Sequence, residues 1–106
     1  MITLQQFQKN EIIIRENDLD EALYLIESGK VEVYTEIDGQ KNVLAYLEKG
    51  AFFGEMALVD ERPRSASVVA VDKTELKVFH RNDFLNILNN DQEIAVKFLS
   101  GIFSRL

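Results

Sequence analysis

The dipeptide Asp38-Gly39 follows a run that alternates apolar and polar residues and precedes a second, largely apolar run, and it leaves the chain little alternative to a β-hairpin. Both central residues of a type I′ turn need positive φ, which glycine adopts freely and aspartate tolerates. On its N-terminal side, Val31, Val33 and Ile37 fall on one face of a strand, with Glu32 and Glu36 on the other. On its C-terminal side, Asn42 to Glu48 reads as the return strand. The same punctuation runs through most of the chain: short apolar stretches recur roughly every eight to twelve residues, separated by turn residues, as in a β-sandwich or β-roll. Ile12-Ile13-Ile14 is a β-branched run, and Ala22 to Ile26 is continuously apolar, as a strand buried on both faces requires. Ser28-Gly29-Lys30 turns that strand into the hairpin. Ser65 to Val71 and Glu75 to Phe79 add two further strands, joined by the polar turn Asp72-Lys73-Thr74.

Near the C-terminus the period changes. Asp83 to Asn89 and Asp91 to Leu106 read as helices, with Asn82 and Asn90 as N-caps. In the second, Ile94, Ala95, Phe98, Leu99, Ile102, Phe103 and Leu106 recur at three- and four-residue spacing, a wider apolar arc than a surface helix needs. One side of that arc suits packing on the β-roll; the surplus suits a homo-oligomer contact or an effector protein. At 106 residues there is room for one domain and one core, with the β-roll over about 1–80 and the helices over about 82–106.

The net charge of −6 repels nucleic-acid backbones over the whole surface, so DNA and RNA are excluded as expected partners. A small anion binds such a chain only where a local positive site overrides the global field. No apolar run approaches the roughly 18 residues a membrane span needs, so no membrane partner is expected. The opening residues carry neither a basic cluster nor a long apolar stretch, and there is no cysteine, which together suit a cytoplasmic address.

One stretch builds a local positive site. In Gly50-Ala51-Phe52-Phe53-Gly54 two glycines bracket two aromatics, permitting a sharp turn with close backbone approach. Glu55 to Val59 suits a single helical turn whose free N–H groups form an anion seat. Pro63 then stiffens the loop ahead of Arg64, which opens an apolar strand, and a planar guanidinium held there suits phosphate bidentately. The competing readings are a surface Arg64 paired with Asp60 or Glu61, or Arg62 in the phosphate role. Glu55 opposes a bare phosphate, yet it suits a ligand that also offers hydroxyl donors, as a ribose does; alternatively it caps the loop or pairs with Arg64. Phosphate and sugar hydroxyl in one small loop point to a nucleotide.

Phe53-Gly54-Glu55-Met56-Ala57-Leu58, followed by Pro63-Arg64-Ser65-Ala66-Ser67-Val68, resembles the phosphate-binding cassette of the cyclic-nucleotide-binding domain family. That family includes catabolite regulators, protein kinase A regulatory subunits and cyclic-nucleotide-gated channels. Phe7 to Glu11, Arg15 to Asp18 and Leu23 to Val33 are similar to its opening strands in order and spacing. The resemblance implies a mainly β fold: an antiparallel, jelly-roll-like β-roll (a double-stranded β-helix) with a short helix in the phosphate-binding loop and C-terminal α-helices. It implies a regulatory module that senses a 3′,5′-cyclic nucleotide, cAMP ahead of cGMP, with no further cofactor. Glu55 would accept a hydrogen bond from the ribose 2′-hydroxyl, with the Gly54 and Met56 backbone nearby. Arg64 would pair with the cyclic phosphate, and the N–H groups of Ala57 and Ser65, with the Ser65 hydroxyl, would complete the cradle. Phe53 and Ala66 bracket the set. Asn10 and Asn17 stand where the family usually has turn glycines, and asparagine is the residue that best tolerates left-handed φ in their place. The alternative is a degenerate member that binds no nucleotide and serves in dimerisation or docking.

Enzymatic readings find little support. Metal-dependent cupins share a similar roll, but they need several imidazoles on one metal, and this chain has one histidine, His80. No Ser/His/Asp or Cys/His set is placed to make a nucleophile, and no helix-turn-helix follows the roll.

Overall fold

In the computed structural model, which describes residues 3–18, 22–54, 66–93 and 96, the chain forms two four-stranded antiparallel sheets. The strands are β1 (Thr3–Phe7), β2 (Ile12–Ile14), β3 (Leu23–Ser28), β4 (Lys30–Ile37), β5 (Gln40–Glu48), β6 (Phe52–Phe53), β7 (Ser67–Ala70) and β8 (Thr74–Phe79). One sheet runs in the order β1-β8-β3-β6 and the other in the order β2-β7-β4-β5. The expected mainly β, antiparallel roll is the fold observed.

The core lies between the sheets. The first contributes Tyr24, Ile26, Phe53, Leu76 and Val78, and the second Ile14, Val31 and Val68. Alternation along each strand puts these side chains on inward faces. On β3 the neighbouring Leu23 is also fully buried although it points the other way, so the start of this strand is covered on both faces as expected, while Leu25, next on that second face, is only half-buried. Truncating a buried leucine such as Leu23 or Leu76 to alanine typically costs about 2–5 kcal/mol.

Among the described residues, three turns contain a non-glycine residue in the left-handed region. Asp38 and Gly39 have φ of 52° and 77°, the signs a type I′ turn requires, and Ile37 pairs with Gln40 across them. Asn10 and Asn17 sit at φ of 71° and 75°, the geometry expected of residues standing in for turn glycines. Around Asn10, its own N–H donates to the Ala70 carbonyl at 2.8 Å, and the Glu11 N–H donates to the Gln8 carbonyl at 3.0 Å, joining the turn to β7.

Some details differ from the sequence expectations. Thr74 is not a turn residue: it opens β8 with no exposure, and its hydroxyl accepts from the Lys30 N–H at 3.2 Å and donates to the Asp72 carbonyl at 2.8 Å. Asn82 lies inside helix α1 (Arg81–Asn90) instead of capping it. Asn90 ends that helix with its side-chain amide donating to the Asn86 carbonyl at 2.8 Å. The capping role falls one residue later, where the Asp91 carboxylate accepts from the Glu93 N–H at 3.1 Å. Most of the second expected helix lies outside the described residues. Among the described residues, no helix is long and apolar enough to cross a membrane.

The β4–β5 hairpin outruns the core. Pairing of β4 with β7 ends at Tyr34–Ser67, so Ile37, though in phase with Val31 and Val33, is 58% exposed. Within β5, Leu44 is an extra residue: Val33 pairs with Ala45 and Tyr34 with Val43. On the outer face, Lys41 forms an ion pair with Glu32 and lies 4.6 Å from the centre of the Tyr34 ring, while Lys30 lies 5.0 Å from that of Tyr46. The hydrogen bond from Lys41 holds the Glu32 carboxyl below its ordinary range, the Tyr46 hydroxyl adds a second, and burial opposes both. Glu32 in turn raises the Lys41 ammonium.

The signs set a pH window. A depressed carboxyl stabilises the fold above its ordinary pKa of about 4.3, and that contribution is lost as pH falls through the lower folded value. A raised ammonium stabilises below its ordinary pKa of about 10.4, and that contribution is lost as pH rises through the still higher folded value. Glu32→Gln should therefore lower the melting temperature most between those limits, with the gap from wild type closing in acid. A gap that stays constant into strong acid would assign Glu32 a packing role only.

Candidate functional site

The loop singled out by the sequence runs from the end of β6 to the start of β7, and the two ends are held very differently from a free loop. At the first end, Phe53 pairs with Tyr24 of β3 and its ring stacks on the Tyr24 ring, with centroids 5.0 Å apart and planes 11° apart. Such a pair contributes about 0.5–1.5 kcal/mol beyond the area it buries. Phe53 is only 3% exposed. Its side chain belongs to the core, so a contribution to a ligand site would come from its backbone. Gly54 follows at φ of 82°, a left-handed step that turns the chain out of the strand. Behind this end, the turn at Gly50 is tied to β3: the Gly50 N–H donates to the Ile26 carbonyl at 2.9 Å, and the Ile26 N–H donates to the Ala51 carbonyl at 3.0 Å.

At the second end, Ala66 is half-buried at a bend. Ser67 is buried, and its hydroxyl oxygen accepts from the Glu16 N–H at 2.9 Å. That bond joins the loop's exit to the turn around Asn17, where the Arg15 N–H donates to the Asp18 carboxylate at 3.1 Å and the Asp18 N–H to the Arg15 carbonyl at 3.1 Å. Val68, one residue on, is 4% exposed in the same core cluster as Phe53. The loop is thus strung between the two sheets, with both ends fixed in one core. Ser67 as an anchor was not singled out by the sequence; the signal available was a small hydroxyl residue opening an apolar strand.

Of the expected site residues, the structure brings Phe53 and Gly54 to the loop's entrance and Ala66 to its exit. Glu55, Met56, Ala57, Arg64 and Ser65, together with the expected helical turn at 55–59, lie outside the described residues.

The β-roll thus fixes both ends of a glycine-led loop. The sequence matches the family described as "Cyclic nucleotide-binding domain" over residues 4–91, and the chain belongs to that family. It is 46% identical over 101 residues to the cyclic AMP receptor protein of Thermus thermophilus, a match covering 94% of this chain and 47% of that protein. The crystal structure of the Thermus thermophilus catabolite activator protein superposes with a TM-score of 0.88 at 38% identity, covering 98% of this chain and 49% of the other. The regulatory domain of Toxoplasma gondii protein kinase A, crystallised with cAMP, superposes with a TM-score of 0.77 at 32% identity over 81% of this chain and 33% of the other. The chain spans less than half the length of each of these three proteins.

Proposed function

We propose that the chain binds a 3′,5′-cyclic nucleotide, cAMP ahead of cGMP, in the loop between β6 and β7, and acts as a ligand-sensing regulatory module. The observation that carries this reading is the cassette Phe53–Val68, with Glu55 and Arg64 both present, in a loop whose two ends are fixed in one core. Support comes from the family and from the neighbouring kinase regulatory domain, whose structure was determined with cAMP.

In this reading Arg64 pairs with the cyclic phosphate and the N–H groups of Ala57 and Ser65 surround it. Glu55 accepts from the ribose hydroxyl, which makes its negative charge useful in an anion site. The global charge of −6 then disfavours polyanions, while the Arg64 guanidinium and the loop's N–H groups admit one small anion. No bond in the ligand is made or broken, and no metal is needed. Ligand occupancy favours whichever arrangement of loop and C-terminal segment completes the cradle, by its differential affinity for the two states. The output passes through the apolar face of residues 91–106 to a second copy or to an effector, in a cytoplasmic setting.

Isothermal titration with cAMP, cGMP and 5′-AMP, on chain refolded from denaturant to strip carried-over ligand, tests the proposal. Micromolar or tighter binding of a cyclic nucleotide, with 5′-AMP much weaker, is the expected result, and the same titrations rank the two bases. No heat and no thermal stabilisation with any of the three would replace this reading with that of a docking module.

A further inference from the structure

Strand β5 is the outer edge of its sheet, and among the described residues it pairs with β4 alone. Its exposed side chains include Val43 at 39%, Leu44 at 55% and Tyr46 at 53%. Bare edges of this length invite another strand.

The turn at Asp38-Gly39 fixes which backbone groups the edge offers. Ile37 and Gln40 occupy the first and last positions of the turn, so they form a hydrogen-bonded pair. Hydrogen-bonded and non-bonded pairs alternate along an antiparallel ladder. Thr35–Asn42, Val33–Ala45 and Val31–Leu47 therefore bond across the hairpin. The pairs between them are Glu36–Lys41, Tyr34–Val43, Glu32–Tyr46 and Lys30–Glu48. In these the N–H and C=O groups of Lys41, Val43 and Tyr46 and the N–H of Glu48 point out of the sheet, while the Glu48 carbonyl accepts from the Ala51 N–H at 3.0 Å in the turn that follows. The extra residue Leu44 is what keeps all four in one phase; without it Lys41 and Glu48 would point to opposite sides.

We propose that this edge pairs antiparallel with β5 of a second copy of the chain, about a two-fold axis between Leu44 and Ala45. The order of the four outward residues is self-complementary about that axis. Lys41 meets the partner's Glu48, Val43 meets the partner's Tyr46, and both contacts recur on the other side of the axis. The side chains then continue rows already present in each hairpin. Lys30 and Glu48 of one copy, at 3.7 Å, extend to Lys41 and Glu36 of the other, a row of alternating charge across four strands. Tyr46 of one copy extends to Val43 and Tyr34 of the other as an apolar row. Cross-strand pairs of both kinds stabilise a sheet. A lysine on an edge ordinarily deters pairing, but here the residue it meets is a glutamate. A foreign strand has no reason to carry this order, which is why the occupant is a second copy. The contact uses a different surface from the C-terminal segment and does not depend on ligand binding.

Sedimentation equilibrium of the chain between about 1 µM and about 1 mM, a range spanning roughly 4 kcal/mol of binding free energy, tests the proposal. A reversible dimer is expected. Val43→Pro removes only an outward N–H and leaves the β4 ladder whole, so it should raise the dissociation constant at least about tenfold. Lys41→Glu and Glu48→Lys should each be monomeric alone, because each places like charges opposite one another, while their equimolar mixture should dimerise. Far-UV circular dichroism of each variant confirms that the sheets persist. A wild-type chain that stays monomeric overturns the proposal. So does a dimer untouched by Val43→Pro, which another surface would be holding, and so does a mixture of the charge variants that fails to associate.

Discussion

Arg64→Ala is expected to weaken cyclic-nucleotide binding by at least about 30-fold, because removing one member of a desolvated charge pair costs roughly 2–5 kcal/mol and each 1.4 kcal/mol is tenfold. Thermal unfolding should hardly move. The reason lies at the two ends of the loop, where Phe53 is stacked on Tyr24 and Val68 is packed in the same core cluster, so the scaffold does not lean on the arginine. Titration calorimetry with cAMP, paired with a melting curve, reads both quantities on one preparation. An affinity within about threefold of wild type, less than about 0.7 kcal/mol, would place the phosphate elsewhere, with Arg62 the next residue to substitute. A collapsed melting temperature would instead give Arg64 a structural role.

Gly29→Ala should be the costlier change for the fold. Gly29 has a φ of 95°, and a Cβ built there would stand 2.5 Å from the Lys73 carbonyl oxygen and 2.5 Å from the Thr74 hydroxyl. Left-handed strain contributes about 1–2 kcal/mol and overpacking about 1–3 kcal/mol, so the loss is about 2–5 kcal/mol. For a domain of this size that lowers the melting temperature by on the order of 10 °C or more. Gly39→Ala isolates the first contribution, since Gly39 has a φ of 77° but nothing within 4 Å of its added Cβ. Equal losses in the two variants would mean that the close approach to the turn before β8 is unimportant.

Much of this fold was legible because its turns are written in residues with special backbone freedom. Asp38-Gly39 announced the hairpin and its register, and Asn10 and Asn17 took the left-handed conformations their positions implied. What escaped was decided by partners distant in sequence. Thr74 looks like a turn residue among Asp72 and Lys73, but the close approach of the Gly29 turn buries it and puts its hydroxyl between two backbone groups. Ile37 looks like a core residue by alternation, and it keeps the correct face, but the opposing pairing ends before reaching it. The extra residue Leu44 leaves no mark in the apolar pattern, because Val43, Leu44 and Ala45 are all apolar. The candidate site was legible as a motif, through the order of Glu55, Pro63, Arg64 and Ser65. The anchoring of the loop's two ends was not, because the Phe53–Tyr24 stack and the Ser67–Glu16 bond join segments far apart in the chain.

The pairing of β1 with β8, which sets Thr3 against Val78, has a consequence for how the chain is made. Strand β3 also takes β8 as its partner. During synthesis, at about 5–20 residues per second, β1 must therefore wait for β8 to leave the ribosome, and β3, which pairs with β6 on its other side, gains its second neighbour only then. The β4–β5 hairpin needs only a two-residue turn to close and forms long before, on the microsecond scale typical of hairpins, about 1–10 µs. A nascent chain halted before residue 74 would hold every strand of the β2-β7-β4-β5 sheet, with β1 unpartnered and β3 paired with β6 alone, a species open to capture by chaperones. Folding of this domain is in that sense gated by its eighth strand, and the slow step is the closure of its most distant contacts.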